Sequence, residues 1–365
     1  MAIKYKWLTE QLRNIIQRNV EQGIEKMPSE NELQSRYRVS RQTVRQSLAI
    51  LEQEGLIEKR RGSGSYITGL SLDSSKNVIG ILISSSTEYI YPGVLSDIHN
   101  VLSPEGFREE IFVTGNRTDT ERQILLEILA SPLRGIIVEG CKSALPNPNL
   151  DLYHKLMSKG CHVLFLYNYY QELSPCLYLK DDNLAGSSML VSHLAEQGHT
   201  AIGGIFKYDD RQGIERFQGF AEAMRNNGLA VLDKHISWFG SRQLENLEQQ
   251  HDTAFLKEIV QNALPSCTAV VCYNDEIAYW LIKELTLAGY TLPEDMALTS
   301  FDNTYLSNSD ILSITTLLHK PHEMGTRIAR MMITKLKGLP VTKQEVPWEL
   351  VLKGSTSHTA DSLDD

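Results

Sequence analysis

The sequence predicts a multidomain chain, in which a small N-terminal α+β head precedes a larger α/β body built on parallel sheets. Two observations support this fold class. Helical periodicity followed by a short hairpin pattern occupies residues 1–69, and apolar strands alternate with helices from residue 78 onward. At 365 residues, the chain is long enough for two or three domains with sizeable cores.

Charge is distributed unevenly between the head and the body. The chain has a net charge of -9, yet residues 1–69 hold 12 basic and 8 acidic side chains, so the head is basic and the remainder acidic. This asymmetry is typical of a protein whose head meets a polyanion while its body stays away from it.

Targeting and redox features indicate the cytoplasm. No apolar run is long enough to span a membrane and the N-terminus does not resemble a signal peptide, so we expect no membrane partner. The five cysteines contain no CxxC pair. This scatter predicts reduced thiols, with neither a disulfide framework nor a zinc site, and no cofactor is expected.

The head begins with two predicted helices. The first is predicted from apolar residues at helical spacing, namely Trp7, Leu8, Leu12, Ile15 and Ile16. A break from Gly23 to Pro28 precedes the second helix, for which Ser29 is the N-cap and Glu32 completes a capping box. Residues 37–39 form the turn to a third helix.

The third predicted helix starts at Ser40, whose hydroxyl can accept a backbone N–H of the first turn. Its inward face is apolar, with Val44, Leu48 and Leu51. Its outward face carries Arg41, Gln42 and Arg45. Arg and Gln read purine edges in the major groove, and a helix N-terminus favours a phosphate. Taken alone, the stretch is equally compatible with a solvated surface helix that carries arginines.

Residues 55–67 predict a β-hairpin, because apolar ends flank a basic Gly-Ser-Gly tip. Such a hairpin beside an outward-facing basic helix is a wing. Its glycines would let the backbone approach DNA closely, and Arg60 and Arg61 would meet phosphate or the minor groove. Together these elements predict a winged helix-turn-helix.

At these residues the head resembles the GntR family of winged-helix transcription factors. The matching motifs lie at 28–33, 40–45, 54–57 and 62–66, and they cover almost the whole head. The resemblance implies double-stranded operator DNA as a partner, with contacts at Lys4, Ser40, Arg41, Gln42, Thr43, Arg45, Arg61, Gly62 and Gly64. Glu30 is also assigned to this surface, where we expect it to orient an arginine.

The body follows a short polar stretch at 70–77 that we interpret as a linker. Val78–Ile83 is a continuous apolar run, typical of a strand buried on both faces. Further strands are predicted at 108–113, 135–139, 163–167, 201–206, 269–272 and 297–301, with helices at 94–102, 119–129, 186–197, 213–226 and 276–288. This alternation predicts a doubly wound architecture with two sheets.

Residues just after the strands are the candidates for a ligand site, because open α/β sheets bind ligands outside the carboxyl ends of their strands. Those positions hold residues 84–91, Glu139, Asn168, Lys207, Asp209, Asp210, Asn274, Asp275, Asp302 and Asn303. Carboxylates, amides and cations among aromatic rings suit a polyhydroxylated ligand, since each hydroxyl both donates and accepts. For any single residue, a capping or solvated role is an equal alternative.

The body resembles the effector domains of the LacI/GalR family, which are similar to two-lobed periplasmic sugar-binding proteins. The residues that carry the resemblance lie at 181–186, 193–199, 216–220, 273–278, 293–295, 301–303 and 317–325. A GntR-type head on such a body is uncommon. It resembles the AraR group of L-arabinose-responsive repressors, as do residues 138–145 and 204–210.

This resemblance implies a repressor that is released from operator DNA by a sugar, with L-arabinose as the effector. It assigns sugar contacts to Tyr91, Glu139, Lys207, Arg216, Asp275 and His319. It also implies a homodimer formed through the effector domain. The expected domains are the head at 1–69, the linker at 70–77, the effector domain at 78–355 and a polar tail at 356–365.

Three alternatives are weighed against this interpretation. A regulator of the same architecture could respond to another sugar or sugar derivative. An enzyme fused to a DNA-binding head is not expected, because the body lacks a GxSxG elbow, a P-loop, an HExxH and a GxGxxG motif. A transport protein is opposed by the basic head and the missing signal peptide.

Overall fold

The computed structural model describes residues 2–21, 24, 26–53, 56–60, 63–67, 77–87, 89–308 and 312–356. Arg61 and Gly62 of the predicted wing lie outside these ranges, as do the predicted linker apart from Asn77 and the predicted tail apart from Thr356. For Lys4, the description covers only the helical backbone.

The head consists, within the described residues, of helices followed by an antiparallel hairpin. The elements are α1 (Ala2–Glu21), α2 (Glu30–Tyr37), α3 (Arg41–Gln53), β1 (Ile57–Arg60) and β2 (Gly64–Ile67). This is the winged helix-turn-helix that the sequence predicts.

Local hydrogen bonds explain where the head helices start and stop. The Ser29 hydroxyl accepts the backbone N–H of Glu32 at 3.3 Å, while the Glu32 carboxylate accepts the backbone N–H of Ser29 at 2.6 Å, which confirms the capping box. Helix α2 ends at Arg38, whose φ of +51° is left-handed. The Ser40 hydroxyl accepts the backbone N–H of Thr43 at 3.2 Å and so caps α3.

The head has its own apolar core. Its most buried members are Leu8, Leu12, Leu33, Val44, Leu48 and Leu51. Trp7, which the helical spacing assigned to the same face, is 49% exposed and lies edge-on against Tyr37 with ring centroids 5.9 Å apart. The large indole therefore covers the edge of the core instead of filling it.

The first lobe of the body is built on a parallel sheet. Its strands are β3 (Val78–Ile83), β4 (Arg108–Val113), β5 (Gly135–Val138), β6 (His162–Leu166), β7 (Leu177–Asp181) and β13 (Gln344–Val346), in the order β13-β7-β6-β5-β3-β4. Its helices are α4 (Tyr91–Leu102), α5 (Thr118–Ala130), α6 (Leu150–Ser158) and α12 (Glu323–Leu336). Helices α4 and α12 pack on one face of this sheet, and α5 and α6 on the other.

The second lobe repeats the same arrangement. Its strands are β8 (Ile202–Lys207), β9 (Ile236–Phe239), β10 (Ala269–Cys272), β11 (Ala297–Phe301), β12 (Thr315–Leu318) and β14 (Glu349–Val351), in the order β14-β12-β11-β10-β8-β9. Only β14 runs antiparallel to its neighbour among these described strands. Its helices are α7 (Asn183–Glu196), α8 (Arg211–Asn226), α9 (Ser241–Gln250), α10 (Ala254–Asn262) and α11 (Asp275–Leu287).

The described chain passes between the lobes at three places, which are the ends of β7, β12 and β13. The sequence pattern did not predict β7, β9, β12, β13 or β14. Of these strands, β13 has only three residues, two of them polar, so it lacks the continuous apolar run typical of a strand buried on both faces. None of the described helices is both long and apolar enough to cross a membrane.

Candidate functional site

A cavity of about 1300 Å³ separates the two lobes at the carboxyl ends of their strands. Residues that end or follow these strands line it, namely Ser84, Glu139, Asn168, Asp181, Lys207, Asn274, Asp302 and His319. This is the edge at which open α/β sheets bind ligands, so the predicted location of the site agrees with the geometry. Among the described residues, no cluster of His, Cys, Asp and Glu could hold a metal ion.

Glu139 is the half-buried acceptor that the first lobe presents at this edge. The hydroxyl of Tyr91, at the start of α4, donates to Glu139 Oε1 at 2.8 Å, and the backbone N–H of Ser84 donates to Oε2 at 2.7 Å. Burial raises the pKa of Glu139 and outweighs these two hydrogen bonds, which favour the charged form. The predicted residues Tyr91 and Glu139 therefore form one hydrogen-bonded unit beside the cavity.

Lys207 ends β8 and is only 4% exposed. Its Nζ lies 3.6 Å from Asp209 Oδ1 and 3.9 Å from Asp210 Oδ2, beyond hydrogen-bond distance. Burial alone would raise the pKa of Asp210, but the Lys207 charge and the Tyr273 hydroxyl, which donates to Asp210 at 2.6 Å, lower it. The charges of Asp209 and Asp210 thus hold the Lys207 ammonium in place, and its N–H groups can donate hydrogen bonds to a ligand.

Arg216 projects from α8 and is 2% exposed. Its Nε donates to Asn183 Oδ1 at 3.0 Å, and its Nη1 donates to the carbonyl of Tyr273. The guanidinium stacks 4.0 Å from the centroid of the Phe301 ring, and Nη2 lies 3.6 Å from Asp302 Oδ1. The hydrogen bonds and the ring contact fix the plane of the guanidinium, which lines the cavity.

Asp302 is one of the strand-end candidates that the sequence identified, although the resemblance assigned it no sugar contact. It follows β11 directly and lines the cavity, where its Oδ2 accepts the hydroxyl of Tyr89 at 2.6 Å. Burial raises the pKa of Asp302 against the opposing charge of Arg216. Its position immediately after a buried strand is the signal that placed it among those candidates.

Asp275, to which the resemblance assigned a sugar contact, has protein partners in the structure. Asp275 is fully buried, does not border the cavity, and points its carboxylate at hydroxyl groups of Ser300, Thr304 and Thr316. Helix α11 begins at Asp275, one residue after its N-cap Asn274, so the side chain turns back under the sheet. Burial raises the pKa of Asp275 to about 7, with a contribution from the Asp302 charge.

His319 borders the cavity, but both its ring nitrogens already have partners. Nε2 lies 2.7 Å from Asp181 Oδ1, and Nδ1 lies 3.1 Å from the carbonyl oxygen of Pro347. The ring stacks on Trp348 with centroids 3.8 Å apart. Because a carboxylate and a carbonyl only accept hydrogen bonds, both nitrogens must carry protons. Both ring nitrogens of His319 thus have protein partners in the structure, and its contact with a sugar stays a prediction.

Because His319 is protonated in the folded state, we expect the stability of the protein to depend on pH. Burial would lower its pKa, but the hydrogen bond and charge of Asp181 outweigh burial and raise the pKa above 6.5. A raised pKa stabilises the folded state fully below pH 6.5, and this contribution is lost as the pH rises through the folded-state pKa. We therefore expect the difference in Tm between the wild type and His319→Gln to be largest below pH 6.5 and to shrink above it. A difference that stays constant with pH would contradict the cationic state.

On the head, Glu30 joins the two arginines of the third helix. Its carboxylate accepts Nε of Arg41 at 3.0 Å and Nε of Arg45 at 3.1 Å. Burial opposes a charged Glu30, but these two hydrogen bonds outweigh it and lower the pKa of Glu30. The arginine side chains stay 62% and 59% exposed. Glu30 thus orients two cations on one exposed face of α3.

The remaining predicted DNA residues lie around this face. Gln42 is exposed, and the hydroxyls of Ser40 and Thr43 are 2.9 Å apart. In the hairpin, Gly64 has a φ of +113°, a conformation that side chains rarely adopt, so glycine is required there. Arg60 stacks 4.4 Å over the Tyr66 ring.

Comparison with known proteins gives two family matches. The family of bacterial regulatory proteins of the gntR type matches residues 4–67, and the periplasmic binding protein-like domain matches residues 191–356. The arabinose metabolism transcriptional repressor of Halalkalibacterium halodurans is 32% identical over 344 residues, which are 92% of this chain and 89% of the relative.

Two solved structures share the fold. The transcriptional regulator CelR in complex with cellobiose has a TM-score of 0.67 at 19% identity and covers 87% of this chain and 91% of its own. The lac repressor dimer bound to operator and the anti-inducer ONPF has a TM-score of 0.64 at 17% identity and covers 77% of this chain and 94% of its own.

A gntR-type winged head and a two-lobed periplasmic binding protein-like body define a bacterial transcriptional regulator. The fold class and the resemblance inferred from the sequence are thereby confirmed. The chain belongs to the family of arabinose metabolism transcriptional repressors. Because this is a family of repressors, the enzyme alternative is set aside.

Proposed function

We propose that this chain represses transcription by binding operator DNA in the cytoplasm and is released when L-arabinose occupies the cleft. The observation that carries this proposal is the buried cavity between the lobes, with donors and acceptors at the ends of strands from both sheets. The choice of L-arabinose is supported by the name of the relative that aligns with 92% of the chain.

The polar groups deep in the cavity suit a neutral polyol. Carboxylates of Glu139 and Asp302 supply acceptors, while Lys207 and Arg216 supply donors. Opposite charges are interspersed among these four residues, which suits hydroxyl groups that both donate and accept hydrogen bonds. We assign sugar contacts to Tyr91, Glu139, Lys207 and Arg216, and we add Asp302.

Hydrogen bonds already connect the lobes beside the cavity. Asn116 Nδ2 donates to Ser241 Oγ at 2.7 Å, and the Ser143 hydroxyl donates to Asp210 Oδ1 at 3.0 Å. A sugar that contacts both sheets would favour the closed arrangement of these groups. Release then follows if the closed conformation binds operator less well, because a ligand shifts an equilibrium by its differential affinity for the two states.

The head supports operator binding through α3 and the hairpin. We assign DNA contacts to the residues carried over from the gntR resemblance: Lys4, Ser40, Arg41, Gln42, Thr43, Arg45, Arg61, Gly62 and Gly64. One winged head reads only a half-site, so we propose a homodimer, formed through the effector domain, on a two-fold operator.

The test measures DNA release and sugar binding separately. A labelled duplex, selected by the protein from a random DNA pool, is titrated with the full chain by fluorescence anisotropy. We expect saturating L-arabinose to weaken the binding. In a thermal-shift titration, a sugar at 100 times its Kd should stabilise the folded state by about 2.7 kcal/mol.

D-arabinose is the matched control, because it has the same composition and the mirror-image arrangement of hydroxyls. It should leave both readouts unchanged. D-xylose, D-galactose and ribose test the alternative of another effector. A response to one of these sugars but not to L-arabinose would overturn the assignment of the effector, and unchanged DNA affinity with all of them would overturn the release mechanism.

A further inference from the structure

Asp275 is a buried carboxylate that does not reach the ligand cavity. Its Oδ1 accepts the hydroxyls of Ser300 and Thr316, the second at 2.8 Å. Its Oδ2 accepts the backbone N–H of Thr304 at 2.6 Å and the hydroxyl of Thr304 at 3.0 Å. One carboxylate therefore joins β11, β12 and the segment that follows β11.

The segment after β11 has an unusual backbone. Asp302 and Asn303 have φ angles of +95° and +46°, a left-handed region that L residues rarely adopt. Two such residues in succession persist only where the surroundings hold them. The next residue, Thr304, is held by its hydrogen bonds to Asp275. Asn303 itself is held by Lys353, whose Nζ donates to Asn303 Oδ1 at 2.7 Å.

This backbone conformation decides where Asp302 points. Its carboxylate faces the cavity, where it accepts the hydroxyl of Tyr89 at 2.6 Å and lies 3.6 Å from Arg216 Nη2. A segment released from Asp275 could relax toward ordinary φ angles, which would turn the Asp302 carboxylate away from the groups that it meets there.

We propose that Asp275 is a positioning residue for the sugar site, because it anchors Thr304 and thereby holds Asp302 in the orientation that meets the ligand. The inference rests on the proposed function for the identity of the ligand. The anchoring itself is independent of any ligand.

The first test is Asp275→Asn in the full chain, followed by calorimetric titration with L-arabinose. The amide group replaces one accepting oxygen with a donor, so at least one of the hydroxyl or N–H donors loses its acceptor. We expect the affinity to fall at least about tenfold, because hydrogen bonds that hold Thr304, and through it Asp302, are lost. Asp295→Asn is the matched control. Asp295 is an exposed carboxylate of the same lobe that accepts the backbone N–H of Thr291 at 2.7 Å, and its change should leave the affinity unaltered.

A double-mutant cycle separates positioning from direct contact. If Asp275 acts only through Asp302, Asp275→Asn should have little further effect in an Asp302→Asn background. Additive losses in the double variant would overturn the proposal, because they would mean that Asp275 acts on the sugar independently.

Amide hydrogen exchange without sugar gives a second readout. The Thr304 amide should exchange faster in Asp275→Asn than in the wild type, and an unchanged rate would overturn the anchoring.

Should Asp275→Asn fail to fold, Thr304→Val removes one hydroxyl donor and keeps the carboxylate. It should weaken sugar binding and speed exchange in the segment 302–308, and no change in either would also overturn the proposal. A wild type that does not bind L-arabinose would count against the proposed function, while the exchange rates would still decide the anchoring.

Discussion

Replacing Arg216 by methionine is expected to abolish the response to L-arabinose. Methionine keeps an unbranched apolar stem against Phe301 but removes every donor, so Asn183 Oδ1 and the Asp302 carboxylate lose their partner. Losing a hydrogen bond between a charged group and a ligand costs about 1.5–3 kcal/mol, or roughly a 10- to 150-fold loss of sugar affinity. Calorimetry with L-arabinose measures the loss.

Arg211 provides the matched control for Arg216, since it lies on the same helix. Its guanidinium stacks 4.2 Å over the Tyr169 ring and pairs with Glu215 at 3.2 Å, and it does not border the cavity. Arg211→Met should therefore bind L-arabinose within a few fold of the wild type. Equal losses in both variants would show that helix α8 had been disturbed as a whole, and retained affinity in Arg216→Met would remove Arg216 from the site.

Replacing Arg45 by alanine is expected to cause the second large effect, a loss of operator affinity. A good bidentate contact to a base contributes about 1–3 kcal/mol of discrimination. In the proposed homodimer each operator meets two copies of Arg45, so the loss counts twice, about 2–6 kcal/mol or roughly 30- to 20,000-fold. Fluorescence anisotropy with the selected duplex measures it at fixed salt concentration.

A comparison with a scrambled duplex separates base reading from phosphate binding. If Arg45 reads a base, Arg45→Ala should lose more affinity for the selected duplex than for the scrambled one. Arg225→Ala, which removes an exposed arginine near the end of α8 in the body, is the control and should leave both affinities unchanged. An equal, small loss on both duplexes would mean that Arg45 contacts phosphate only.

Much of the architecture could be predicted because its signals are local. Buried inner strands such as Val78–Ile83 are continuous apolar runs, and the head helices carry caps at Ser29 and Ser40. The edge strand β13 could not be predicted in this way. Gln344–Val346 is short and largely polar, so it becomes a strand only because β7 supplies hydrogen-bond partners.

The sequence by itself determined the class of this protein and the edge of the sheets where its ligand site lies. Capping residues, apolar periodicity and the order of strands and helices depend on neighbours in the chain, and they predicted a winged head and a cleft at the strand ends. Only the tertiary structure decided which strand-end side chains reach the cleft. Asp275 and Asp302 both follow strands, but Asp275 starts a helix and turns under the sheet, whereas a left-handed backbone turns Asp302 into the cavity. His319 also meets its partners Asp181 and Pro347 only where three separate connections between the lobes come together.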